Sequence, residues 1–147
     1  MEVKVQGLDK LLKKLDQLGG NLPKSTQKAL LRAGVVIEEG AKKHCPVDTS
    51  QLRDSIHTQA VDENTVAVGT NVKHGIFVEF GTGPKGDPAV PHTTKEFWRY
   101  QDAAGNWHTS HGQPPQPFMR TGFAEGKDKA VDAAKESFRE DVKELMK

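Results

Sequence analysis

Hydrophobic and polar positions alternate in three different rhythms along this chain. Val3 and Val5 are separated by charged or polar neighbours, which predicts a short first strand. Leu8, Leu11, Leu12, Leu15 and Leu18 then recur at helical spacing, with Lys10, Lys13 and Lys14 elsewhere on the wheel, and Gly19-Gly20 closes that helix. A second helix opens at Leu22-Pro23, where proline suits the first turn. Leu30, Ala33, Ile37 and Ala41 mark its apolar face, broadened by Val36. It ends before Pro46, because the residue preceding a proline disfavours the helical region. Gly34 and Gly40 each cost about 1 kcal/mol relative to alanine in such a helix, or else permit close backbone packing. At the far end, Val131, Ala134, Phe138, Val142 and Leu145 step by three and four, predicting a long C-terminal helix that begins near Pro117-Phe118.

Between these helices the rhythm changes to strands and turns. In CPVDTSQLRDSI, residues 45–56, Asp48 and Gln51 have capping-box spacing over one short helical turn. SIHTQAV at 55–61 and TVAVGT at 65–70 read as two strands around an Asp62-Glu63-Asn64 turn. The run HGIFVEF at 74–80 reads as a third, with Ile76, Val78 and Phe80 on one face and Phe77 and Glu79 on the other. The expected fold class is α+β: a small antiparallel sheet packed by two N-terminal helices and a long C-terminal one. Residues 81–116 are rich in Gly and Pro and enclose EFWRYQDAAGNWHTS at 96–110, read as an aromatic β-hairpin on an extended loop. A hairpin this small is marginal alone and must pack on the domain or on a partner.

A length of 147 residues argues for a single domain, 1–147, with residues 81–116 an extended loop inside it. The mean hydropathy of −0.65 is that of a globular chain. The N-terminus has no apolar signal-peptide core and no run approaches a membrane span, so the protein is expected to act where it is made, with no membrane partner. Its one cysteine, Cys45, has no internal partner for a disulfide. Lys and Arg total 21 against 20 Asp and Glu, and both signs are mixed in every part of the chain. Proteins that hold nucleic acid by its phosphates concentrate their cations, so specific nucleic-acid binding is not expected.

Candidate chemistry is sparse. Gly81, Gly83 and Gly86 spell G-x-G-x-x-G, but Pro84 and Pro88 follow and no helix opens there, so the dinucleotide reading fails. His108 and His111 lie three apart near His92, without the cysteine pair that would complete a zinc site. Cys45 has His44 beside it in sequence but no base placed by the spacing. No catalytic residue, cofactor, metal or small-molecule substrate is expected. Trp98, Tyr100 and Trp107, a third of the chain's aromatics, are candidates for interface anchors. The alternative is a nucleic-acid-binding protein that uses them as a stacking platform.

The ordered set Pro46-Val47-Asp48-Thr49, Val78-Glu79-Phe80-Gly81-Thr82 and Pro117-Phe118-Met119-Arg120, within VGTNVKHGIFVEFGTG and QPPQPFMRTGFAEG, resembles the small tail-component family of long-tailed bacteriophages and prophages. Ser50 stands where that pattern often has glycine, and His74-Gly75 where it often has an aromatic. The resemblance implies a structural, non-enzymatic virion protein acting at the head–tail junction, in the neck or in tail completion. It would assemble in the host cytoplasm, form rings, and touch other connector, neck or tail proteins. The expected contact residues are Phe80, Gly81, Thr82 and Gly83 at the loop base and Trp98, Tyr100 and Trp107 on the hairpin.

Overall fold

The computed structural model describes residues 2–4, 22–47 and 50–145. The leucine-striped helix expected over 8–18, together with Val5 and the Asp48 half of the capping box, lies outside the described residues. Two compact units divide the chain: Met1–Val72 with Phe118–Lys147, and Lys73–Pro117.

The first unit is α+β. Its strands are β1 (Glu2–Lys4), β2 (His57–Asp62) and β3 (Thr65–Gly69). Its helices are α1 (Leu22–His44), the short α2 (Gln51–Ser55) and, after the second unit, the long C-terminal helix Phe118–Leu145. The sheet is antiparallel in the order β1-β3-β2, with Val3 opposite Val68 and Thr58 opposite Val68 on the other edge. Asn64 N–H donates to Asp62 Oδ1 at 2.8 Å, which closes the β2–β3 turn.

Leu30, Ala33, Ile37 and Ala41 are buried, the face that the spacing marked. They meet Ala130, Ala134 and Phe138 of the C-terminal helix and Val66 and Val68 of β3 in one core. Burying each large apolar side chain is worth about 1.5–3 kcal/mol, so this face is what holds a helix containing two glycines. Those glycines are placed where backbones approach. A Cβ on Gly40 would lie 3.0 Å from the Gly122 carbonyl oxygen, and one on Gly34 would strike the Thr58 and Val66 side chains. The two long helices run antiparallel, tied at their surface by Lys28–Asp141 at 2.8 Å, Arg32–Glu140 at 2.9 Å and His44–Glu125 at 2.6 Å.

In the second unit, residues 75–80 are not a third strand but a helix, α3 (Gly75–Phe80). The meander expected over 55–80 therefore keeps only its first two strands, and the third place in the sheet is taken by β1. The reason is topological as well as local. Both edges of β3 are occupied, by β1 and β2. A six-residue run with four apolar positions fits either period, and periodicity alone does not separate them. In the helix, Gly75 and Glu79 are buried one turn apart while Ile76 and Phe77 are about half exposed. The rest of the unit is a 3₁₀ turn at Gly83–Lys85 and the expected hairpin, β4 (Trp98–Gln101) paired with β5 (Trp107–Ser110). The helix that follows at Phe118 is α4.

Candidate functional site

Helix α3 stops at Gly81, whose φ of +73° is open to glycine and strained for other residues. Its N–H donates to Phe77 O at 2.8 Å. The chain then turns back along residues 112–116. Thr82 N–H donates to Gln113 O at 2.9 Å and Gln113 N–H donates to Thr82 O at 3.2 Å, a single antiparallel bridge. Gln113 Nε2 donates to Phe77 O at 2.9 Å, and Gln116 N–H to Val78 O at 2.8 Å. Here lies the reason for the glycine cluster. A Cβ on Gly81 would come within 2.6 Å of Gln113 O and 2.8 Å of Pro115 N, and one on Gly83 within 3.0 Å of the Trp98 ring. These glycines let two backbone segments and an indole pack together, and only a three-residue 3₁₀ turn follows Gly83.

The structure brings four of the seven expected contact residues to one place. Phe80, Gly81, Thr82 and Trp98, with Ile76, Phe77 and His92, line a groove of about 480 Å³. Gly83 is not in the lining, but a Cβ there would come within 3.0 Å of the Trp98 ring that forms part of it. Tyr100 and Trp107 stand apart, further along the hairpin. The register pairs Trp98 with Ser110, Tyr100 with His108 and Gln101 with Trp107. Side chains alternate along a strand, so Trp98 and Tyr100 share one face of the ribbon and Trp107 lies on the other. Tyr100 stacks on His108 with ring centroids 5.4 Å apart, and the Arg99 guanidinium sits 5.4 Å from the Trp107 ring centre. Trp107 is still 61% exposed.

Asp102 organises the hairpin turn. Its Oδ1 accepts the N–H groups of Ala104 and Asn106, both at 2.9 Å, and its Oδ2 lies 2.7 Å from His108 Nε2. The His108 contact, followed by the Asn106 N–H, holds this carboxyl below the ordinary aspartate range. Spacing singled out His108 only for its distance from His111; the Asp-x₅-His pairing across a hairpin turn was the signal for its role.

The other candidates separate. His111 faces the Phe97 ring at 6.1 Å, and His92 Nδ1 lies 2.6 Å from Val90 O. Among the described residues no group of three or more His, Cys, Asp or Glu could hold a metal. Cys45 is buried, and that burial pushes its thiol up, away from the thiolate that a nucleophile requires. Among the described residues no helix is long and apolar enough to cross a membrane. Glu79 is the one fully buried charged side chain among the described residues.

Residues 9–81 match the family described as "HK97-gp10_like: Bacteriophage HK97-gp10, putative tail-component". That segment, which carries α1, the β2–β3 hairpin and α3, is similar to a bacteriophage tail-component family. The match ends at Gly81, so the aromatic hairpin lies beyond it. No curated protein and no solved structure matches the chain.

Proposed function

We propose that this protein acts at the head–tail junction of a long-tailed phage or prophage, as a neck or tail-completion component arranged in a ring. Its role is structural and non-catalytic. It is made in the host cytoplasm, and its partners are connector, neck and tail proteins of the same virion. The observation that carries the reading is where the apolar surface lies. Every buried apolar side chain among the described residues belongs to the first unit. The second unit instead displays Ile76, Phe77, Phe97, Tyr100 and Trp107, each 48–61% exposed. A set of large exposed apolar side chains on one small unit marks a surface that a partner covers. The family supplies the class of partner: other components of a phage tail.

The test is electron microscopy of lysates from a phage or prophage lacking this gene. Filled heads beside finished but separate tails, restored to virions by complementation, are expected. Normal infectious particles would overturn the reading, and a salt-sensitive shift with DNA at low salt would then favour the stacking platform.

A further inference from the structure

We infer that the groove beside α3 receives the hairpin tip of a second copy of this chain, so that copies join head to tail; this rests on the ring arrangement proposed above. The groove and the tip lie at opposite ends of one short ribbon. Trp98, at the start of β4, lines the groove, whereas Trp107 flanks the turn that β4 and β5 share. The three steps from Trp98 to Gln101, the residue opposite Trp107, separate the ends by about 10 Å at 3.3 Å per residue. An antiparallel ribbon of that length does not bend back on itself, so the tip of one chain cannot fill its own groove.

The two ends complement each other in chemistry. The groove is walled by Ile76, Phe77, Phe80 and Trp98, and its 480 Å³ is ample for an indole ring. The tip offers Trp107, the most exposed of the large hydrophobic residues. Lys95 stands at the groove; the tip carries both signs, with Asp102 held in the turn and Arg99 against Trp107. Such a contact uses two different patches of the same chain. It is therefore heterologous, and it propagates until the rotation closes a ring.

Complementary variants test this directly. Trp107→Glu removes the tip and keeps the groove; Phe77→Glu removes the groove and keeps the tip. Both side chains are more than half exposed, so both variants should keep the wild-type melting temperature. Should Phe77→Glu fail to fold, Ile76→Glu replaces it, since Ile76 is 49% exposed and lines the same wall. Light scattering of the purified wild-type chain should show oligomers larger than a dimer, and each variant alone should be monomeric. An equimolar mixture of the two should stop at a dimer, because only one productive contact remains. A wild-type chain that is monomeric or stops at a dimer overturns the inference. So do oligomers that survive Trp107→Glu, or a mixture that stays monomeric. The head–tail reading is decided separately by the lysates. If heads and tails separate without this gene while the pure chain stays monomeric, the junction role stands and a different virion protein fills the groove.

Discussion

Ser50 holds φ at +65°, the one non-glycine residue with positive φ among those described. It precedes α2, and its carbonyl accepts the Asp54 N–H at 2.9 Å, so the turn of helix depends on that conformation. A left-handed backbone costs an L-residue about 1–2 kcal/mol, part of which glycine returns as greater freedom in the unfolded chain. Ser50→Gly should therefore stabilise the protein by about 0.5–1 kcal/mol, read as a rise in thermal midpoint. Glu38 is a second local knot. Its two oxygens take Lys42 Nζ at 2.6 Å and Thr58 Oγ1 at 2.8 Å, and the latter ties α1 to β2. Burial raises this carboxyl, but the Lys42 and Thr58 hydrogen bonds and the Lys42 charge outweigh it and leave it below the ordinary glutamate value of 4.5. The sign follows from linkage. A depressed folded value means stability that is present above about pH 4.5 and lost as pH falls through the folded value. Glu38→Gln should flatten the fall in melting temperature below that pH. An equally steep fall in the variant would show that other carboxylates govern acid unfolding.

Helices were more legible than strands, and the reason lies in length. Over the 23 residues of α1 the 3.6-residue period repeats often enough to fix both the element and its buried face. Its glycines were also readable as packing sites, though not what they pack against. The partner of Gly40 is Gly122, 82 positions away, and no local pattern pairs them. At Gly122 an added Cβ would collide with the Ala41 backbone, which cannot swing aside as a side chain can. Gly122→Ala should force α1 and α4 apart and cost about 1–3 kcal/mol, seen as a lower denaturant midpoint with little change in slope. An unchanged midpoint would mean that the crossing is looser than this contact implies. Residues 75–80 show the opposite case. Six residues hold one and a half helical turns or three strand repeats, and Ile76-Phe77-Val78 satisfies both. The place beside β3 that a third meander strand would take is held by Glu2–Lys4, from the other end of the sequence. The hairpin was legible because its turn carries Asp102, Gly105 and Asn106, whose hydrogen bonds and positive φ close it locally.

At the scale of the whole molecule, the site could be read only in part. Aromatics concentrated in a Gly- and Pro-rich stretch pointed to the hairpin and the loop base. The groove could not be foreseen, because it depends on α3 being a helix, which brings Phe77 to the same side as Ile76 and Phe80, where a strand would have turned it to the opposite face. The distribution of burial carries a further consequence for folding. Ala29, Leu30, Ile37, Ile56, Val66, Phe118 and Phe138 all lie in the first unit, and the second unit buries no apolar side chain of its own. Hydrophobic burial is the dominant force for folding, and a two-stranded hairpin is marginal without it. Residues 1–147 are accordingly proposed to fold as one domain with one core, of which residues 81–116 form an extended loop. Scanning calorimetry should then give one transition with a calorimetric-to-van't Hoff enthalpy ratio of about one. A peptide of residues 73–117 should show the circular dichroism of an unfolded chain. Replacing those residues by a Gly/Ser linker should preserve the helical signal of α1 and α4 while abolishing complementation of virion assembly. A second calorimetric transition, or a 73–117 peptide that keeps the Tyr100–His108 stacking, would instead make the second unit a domain in its own right.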